Sequence, residues 1–543
     1  MMNQKLTIGN AEDLFARGIK KISVTSWTAF ISTILMAAIV NFPVYSQRLQ
    51  GPDGMISDVI STWQWDFQLG RWMLPVDVFM RNSLTLSYYI FALAFILLGI
   101  ISVLLCKMFS IRKPLGGLLI GLLIATFPST ASGMNLYNYI ISYTMASLLG
   151  IVSVYILMQH KGKIPIFISA IALCIGMGYY QMSIVVAMSL CVLQLIRLLL
   201  SDNGSVRIAL TMAGRMLIMG ISGFSMYFAI LLSLSKYLGI ALALTEYSGA
   251  DQFSLFTHIP KTYRTTLRFY ASPTFFDNGD WGIQYAYCAI LILGFIALVA
   301  LIYHQAKKKK SVGIIICSLL LCMVLPIYLD FMEVMMADGN LSVVTAFPFL
   351  LPIIGSIGIM SLWVERAEPA RISKEVVCQY LAIFAAFFLF NAFWKYDTAI
   401  FLGMEMAQNK AQSLAIRIVD DIEETEGYVP GMKILFCGTE RPDLYPENFA
   451  SLYETVDQSI GAMGLMWSNL GTAQTGWKGI IERTIGLQVD CVYDPVIYEN
   501  ILGSERYQTM PLFPMKDSIA IIDDIVVVKL NAAYDDIYKS AVN

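Results

Sequence analysis

Apolar runs of about twenty residues alternate with short polar connections along most of this chain. Eleven such runs fall at approximately 23–45, 84–106, 114–127, 139–158, 164–178, 181–200, 214–236, 284–304, 311–329, 343–363 and 374–396. Each is near the length a helix needs to cross a hydrocarbon core of about 30 Å. About 20 mostly polar residues precede the first run, which is therefore expected to remain as a helix and not be cleaved as a signal. After about residue 397 the pattern changes. A helix is predicted from about Ala399 to Glu424, and Gly427 and Pro430 lead from it into the strand-like Lys433–Cys437 (KILFC). Ile519–Leu530 (IAIIDDIVVVKL) reads as two short strands around Asp523-Asp524, a hairpin. The expected fold is an all-α polytopic membrane protein of about eleven transmembrane helices with a small C-terminal α/β domain. Two units follow, 1–396 and 397–543, the first carrying long outer loops at 46–83 and 237–283.

Composition agrees with the pattern. Of 543 residues 57% are hydrophobic and 14% charged, against about a quarter charged in soluble proteins. The net charge of −2, with no basic tail, gives no sign of nucleic-acid binding. Nine cysteines lie mostly inside apolar runs, where each acts as a small apolar side chain. Cys437 and Cys491 lie outside the runs but do not make a disulfide framework. Lysine and arginine set the orientation. Lys5 to Lys21, Lys107 to Lys113, Lys161, Lys163, Arg207, Arg215, Lys307 to Lys310, and Arg366 to Lys374 fall on one side, taken as cytoplasmic. The connections around Ser129, Tyr180 and Glu333 have no basic residue. The N-terminus is then inside, and both long loops and the tail are outside.

The most unusual stretch is Gln50–Asn82, which holds Asp53, Asp58, Asp66, Asp77, two arginines and three tryptophans between apolar runs. Ile56, Val59, Ile60, Trp63 and Phe67 share a face, predicting an amphipathic helix over Met55–Leu69 lying at the interface, with Asp58, Thr62 and Asp66 on its other side. Asp53 sits in a Gly-Pro-Asp-Gly turn close after the first span. It is either a carboxylate held stiffly near the membrane surface or simply the polar residue of that turn. Asp77 with Arg81 reads as an i,i+4 ion pair.

A second group lies in the loop 237–283, in HIPKTYRTTLRFYASP. Lys261, Arg264 and Arg268 share one helical face, where basic residues are otherwise scarce. They suit a lipid phosphate through charge-assisted hydrogen bonds, or equally a solvated face. Glu333 and Asp338, in DFMEVMMADGN, are suited to an acceptor sugar, a metal or a polar turn. Tyr179-Tyr180-Gln181 tips a tight outer connection. His160, His258 and His304 are far apart, and no metal-ligand spacing or glycine-rich phosphate loop occurs. Asp523-Asp524 reads as a turn.

These residues together resemble the bacterial membrane glucosyltransferases of the Gtr type II family, within the GT-C superfamily. The likeness rests on Pro52-Asp53-Gly54 soon after the first span and on Leu69-Gly70-Arg71-Trp72 leading into a proline-containing segment. It rests also on the Tyr180-Gln181 hairpin and on Ser142–Leu157 (SYTMASLLGIVSVYIL), and it covers about 1–360. Relatives often carry paired acids in the first loop, whereas Gly54 follows Asp53 here, so Asp58 or Asp66 stands open as a second acid. The resemblance implies a polyprenyl-phosphate glucose donor and transfer to a cell-surface glycan outside the bacterial cytoplasmic membrane. It implies that loops 46–83 and 237–283 are catalytic. Asp53 becomes the expected base, and Arg71, Trp72, Lys261, Arg264, Arg268, Tyr180, Gln181 and Glu333 become expected substrate contacts. An inverting transfer needs one base for the acceptor hydroxyl and cations for the leaving phosphate. No cofactor is expected, and a divalent metal is not required. The expected partners are donor lipid, acceptor glycan and membrane lipid.

Other readings are a surface-polysaccharide polymerase or ligase, and a flippase for lipid-linked sugars. A flippase is expected to carry ionisable residues along its spans. Here they lie almost wholly in loops, which favours an enzyme at one surface.

Overall fold

The computed structural model describes residues 22–47, 49, 64–80, 88–135, 139–243, 255–272, 282–335, 343–366, 373–438 and 470–530. Helices dominate. In the first part these are α1 (Val24–Val40), α2 (Phe42–Ser46), α3 (Gln64–Gln68), α4 (Leu74–Met80), α5 (Tyr88–Met108), α6 (Pro114–Thr126) and α7 (Pro128–Asn135). There follow α8 (Ile140–Gln159), α9 (Lys163–Tyr179), α10 (Met182–Leu200), α11 (Val206–Leu238) and α12 (Leu255–Ala271). The bundle is completed by α13 (Ile283–Lys309), α14 (Val312–Leu329), α15 (Phe331–Met335), a 3-10 turn (Val343–Phe349), α16 (Leu350–Arg366) and α17 (Lys374–Glu423).

Among the described residues eight helices are long and apolar enough to cross a membrane, and the bent pair α6–α7 makes a ninth. Two further apolar helices, α1 and α9, are shorter. All eleven predicted runs thus contain apolar helix. The run at 114–127 differs from its prediction, because the chain bends by 47° at Phe127 and continues as α7. Pro128 excludes the α region at Phe127, whose ψ is 129°, so the helix must break there. The small, hydroxyl-rich sequence that follows packs against the 3-10 turn, with the Ser129 hydroxyl donating to Val344 O at 2.8 Å.

Helix contacts rest on small residues where helices approach closely. A Cβ on Gly117 would stand 2.5 Å from Thr25 O, and one on Gly121 would stand 2.8 Å from Ala29 O. This Gly-x-x-x-Gly stripe lets α6 lie against the α1 backbone, as small residues do between membrane helices. A buried aromatic group knits the other side of the bundle. Phe269 lies 4.5 Å from Phe349, Phe127 lies 5.5 Å from Phe393, and Tyr287 lies 5.8 Å from Phe393 (ring centroids). That group holds α12 down on α13, the 3-10 turn and α17.

The helix predicted from about Ala399 and the span 374–396 are one element. α17 continues without a break through fifty residues, held at its start by a cap at Ser373, whose hydroxyl accepts from Val376 N. Its residues up to Met404 belong to the membrane core, and Ala411, Leu414, Ala415, Ile418, Val419 and Ile422 belong to a second one. That second core is a small α/β unit. It contains β1 (Lys433–Cys437), α18 (Leu470–Ile485), β2 (Asp490–Cys491), α19 (Pro495–Gly503), α20 (Glu505–Thr509), β3 (Ile519–Ile522) and β4 (Ile525–Lys529). The sheet order is β2-β1-β4-β3, with β1 parallel to both neighbours and β3 antiparallel to β4. Asp523 and Asp524 have φ of 48° and 60°, as a two-residue type I′ hairpin turn requires. β2 is too short to cover β1 fully, and the Gln474 side chain fills in. Its Oε1 accepts from Phe436 N at 3.0 Å and its Nε2 donates to Phe436 O at 2.7 Å, replacing a strand. Cys437 and Cys491 are both buried free thiols.

Gly121→Leu is expected to force α6 off α1 and destabilise the bundle by about 1–3 kcal/mol. The comparison is Gly220→Leu, at a helical glycine whose Cβ would meet nothing within 4 Å. Thermal melting of the two purified variants should show a clear loss for the first and little change for the second.

Candidate functional site

The first loop is held to the bundle by its helix ending. α3 stops at Gly70, which has φ of 88°. Gly70 N donates to Phe67 O at 2.8 Å and Arg71 N to Asp66 O at 2.9 Å, the paired bonds of a Schellman ending. The same two residues are joined again through their side chains, with Arg71 Nη1 donating to Asp66 Oδ1 at 2.8 Å. Glycine therefore sets the left-handed turn, and the next residue is returned directly over Asp66. The Gly-Arg pair has a local reason.

Everything after that turn is received by α9, α10 and α11. Gln181 Nε2 donates to Leu69 O at 2.6 Å, Tyr227 Oη donates to Gly70 O at 3.0 Å, and Met73 N donates to Gly178 O at 2.9 Å. Gln181 Nε2 also lies 3.2 Å from Tyr227 Oη. Trp72 lies flat against Gly178, where a Cβ would come within 2.6 Å of the indole. The residue after α11 joins in, with Ala243 N donating to Gln68 O at 3.0 Å.

Arg71 is the centre of this arrangement. Its guanidinium carbon sits 4.9 Å from the Tyr180 ring centroid and 5.1 Å from that of Tyr139. Tyr143 packs edge-on to Tyr180 at 4.5 Å. The guanidinium is thus clamped between aromatic faces, and its side chain is only 15% exposed. Arg71 Nε and Trp72 Nε1 are buried and have no acceptor among the described residues. The fixed positive charge of Arg71 therefore keeps a donor open, as an oxygen-rich anionic ligand would require, and the next residue keeps another. A cavity of about 30 Å³ lies nearby, lined by Ser129, Thr130, Tyr143, Ser147 and Met182 among others.

Residues that the sequence placed in separate groups meet in a second cluster. Lys261 Nζ lies 3.2 Å from Glu333 Oε1, and His258 Nδ1 lies 3.6 Å from the same oxygen. His258 and Lys261 are one turn apart on α12, and Glu333 comes from α15. Tyr270 anchors α12 by donating to Phe349 O at 2.6 Å. Glu333 and its neighbour Asp330 are both buried. Burial, then the charge of Glu333, pushes the Asp330 carboxyl up to about 8. Asp330 and His258 are the members sequence reasoning missed, and the i,i+3 spacing of Asp330 with Glu333 was the available signal. Arg264 and Arg268 are exposed and make no ion pair among the described residues.

The predicted site residues therefore divide. Arg71, Trp72, Tyr180 and Gln181 converge, joined by Asp66. Asp66 does not lie on an open polar face of an interfacial helix. It is buried and spent on Arg71, because a guanidinium taken out of water needs its counter-charge. Lys261 and Glu333 meet each other, whereas Arg264 and Arg268 face outward. Asp53, Asp58, Asp338 and Arg81 lie outside the described residues, as does the stretch 55–63 of the predicted amphipathic helix. Tyr139, Tyr143 and Tyr227 were not singled out from the sequence, where tyrosines near span ends read as interfacial anchors. No group of three or more metal-ligating side chains occurs among the described residues.

A family model described as Glucosyl transferase GtrII matches residues 54–353. The matched stretch contains Asp66, Arg71, Gln181, Tyr227, Lys261 and Glu333, and it ends within α16. No curated protein and no solved structure matches the chain.

The raised Asp330 carboxyl gives a pH signature. It keeps its proton in the fold up to about 8, whereas an unfolded aspartate loses it near 3.8. Between these values the folded state binds the extra proton, so stability falls as pH rises through that window. Asp330→Asn is expected to flatten this decline, making the variant the more stable protein at pH 8 and nearly equal to wild type at pH 4. Melting temperature measured against pH for both proteins checks it.

Proposed function

The chain belongs to the glucosyl transferase GtrII family, a family of glycosyltransferases, and from that premise we propose the course of its reaction. The donor is a polyprenyl-phosphate glucose and the acceptor a cell-surface glycan. The transfer is inverting, at the outer face of a bacterial cytoplasmic membrane. The N-terminus is cytoplasmic, and the tail from 397 is an extracytoplasmic α/β domain. The observation that carries this reading is the Arg71 guanidinium, clamped between the Tyr139 and Tyr180 rings with its Nε–H open among the described residues.

The chemistry asks for two things. The acceptor hydroxyl attacks the anomeric carbon of the glucosyl unit while a base takes its proton. The carbon–oxygen bond to the lipid phosphate breaks, its electron pair leaves on the phosphate, and a polyprenyl phosphate is released. Asp53 is the base in this proposal. It precedes the matched stretch by one residue, in the loop that Asp66 and Arg71 tie to the bundle. Arg71 faces the charge that grows on the phosphate oxygen. Held by Asp66 and two rings, it need not reorganise as that charge develops. Tyr139, Tyr143 and Tyr180 offer apolar faces for the sugar ring. Lys261 is a second contact for the phosphate or the glycan, positioned by Glu333. Arg264 and Arg268 serve the same loop from its exposed face. No metal or cofactor enters the scheme.

Purified full-length protein supplied with radiolabelled polyprenyl-phosphate glucose and a glycan acceptor tests this. Asp53→Asn is expected to lower turnover by about 10²–10⁴-fold with little change in donor affinity. Arg71→Gln is expected to lower it by about 10²–10³-fold. Turnover that survives the Asp53 change removes Asp53 as base. Absence of turnover with every hexosyl lipid, together with lipid movement between leaflets, returns the flippase reading.

A further inference from the structure

A cavity lies at the opposite end of the bundle from Arg71. It has a volume of about 280 Å³ and opens where α10, α16 and the end of α5 meet. Gln181 borders the start of α10, and Arg197 lies near its other end. The sixteen residue steps from one to the other span about 24 Å at about 1.5 Å per step. This cavity is therefore separate from the site of the proposed transfer. It lies at the lysine- and arginine-rich end.

Its polar lining is built from Arg112, Arg197, Arg366 and Gln194, with Asp202 and Glu365 at the rim. The rim charges are partly paired. Arg112 lies 3.7 Å from Glu365, and Arg366 lies 3.4 Å from Asp202. Arg197 differs, because its guanidinium donates to Gln194 Oε1 at 3.2 Å and to the Ser110 hydroxyl, and neither carries charge. Two donors inside are unmet among the described residues. Gln194 is 1% exposed and its Nε2 has no acceptor, and Arg366 Nη1 is buried without one. An uncompensated cation and two orphaned donors facing one cavity call for an anion with several acceptor oxygens.

A second cavity of about 160 Å³ shares Arg112 and Glu365 and lies between α6, α16 and α17. Its remaining lining is mostly apolar, including Leu115, Leu119, Ile357, Met360 and Ile383. A cationic chamber beside an apolar furrow matches a phosphate head carrying an acyl chain better than it matches a free ion.

We propose that the Arg197–Gln194–Arg366 chamber is a binding site for an anionic phospholipid of the leaflet at that end. The phosphate accepts from Arg197, Gln194 Nε2 and Arg366, and an acyl chain lies along the furrow between α6, α16 and α17. The site is independent of the glucosyl transfer.

Purified full-length protein in neutral detergent is delipidated and offered phosphatidylglycerol, phosphatidylcholine or inorganic phosphate. Lipid retention is read by native mass spectrometry and stabilisation by thermal melting. Wild type is expected to retain phosphatidylglycerol over phosphatidylcholine. Arg197→Gln and Arg366→Gln are each expected to lower that retention by about tenfold, the loss of one charge-assisted contact. Arg197→Lys is expected to keep most of it. If Arg197→Gln does not fold, Arg366→Gln decides alone. Equal retention by wild type and Arg366→Gln, or equal retention of the two lipids, overturns the proposal. Inorganic phosphate that stabilises as much as phosphatidylglycerol and displaces it overturns the lipid as source, leaving a free anion site.

Discussion

A backbone amide in hydrocarbon has no water to bond, so it must find its partner within the chain. This one constraint fixes the architecture. It makes the spans helical, and it leaves close packing and side-chain hydrogen bonds to hold them together. The Gly117–Gly121 stripe against α1 and the aromatic group around Phe127, Phe269 and Phe349 supply the packing. Where the backbone leaves helical form near the membrane, side chains take over its bonding. Gln181 and Tyr227 meet the carbonyls of Leu69 and Gly70, and Ser129 meets that of Val344.

The same rule explains why the candidate site is firm although it is made from a loop. A loop over a membrane protein is usually free to move. Here a Schellman ending, an ion pair and four further backbone contacts restrain the stretch from Asp66 to Met73. Arg71 consequently arrives between Tyr139 and Tyr180 in a fixed pose. In the transfer proposed above, a cation already oriented would stabilise a growing negative charge without rearranging, and the aromatic clamp would serve that chemistry as well as the fold. The second cluster is built differently. Lys261 and His258 share one buried carboxylate, with Asp330 alongside it, its carboxyl pushed up by burial.

Hydrophobic run length made the helices legible, and the apolar strands around Asp523-Asp524 announced the hairpin. Run length says nothing about direction changes inside a run, so the break at Phe127 was read as the end of a span. It also divided α17 in two, because its composition turns polar beyond about Ala399 while its backbone does not change. For the site, type and spacing picked out Arg71, Tyr180 and Gln181. They could not join Lys261 to Glu333, which are 72 residues apart and meet only through the packing of α12 against α15. Asp66 was read by helical periodicity as facing water. Its partner five residues on, across a left-handed glycine, lies outside any helical period. Asp397 escaped notice altogether. It is a fully buried acid in α17 with both oxygens unpaired among the described residues.

The unbroken α17 has one more implication. Its first thirty residues are packed with the membrane helices and its last dozen with the sheet, with no loop between them. A continuous helix resists bending, so the two cores share one lever arm. From Met404 to Ile422 that arm is about 27 Å long, and a tilt of ~5° at the membrane end would carry the sheet by roughly 2 Å. A force applied to the sheet would be felt among the helices as torque.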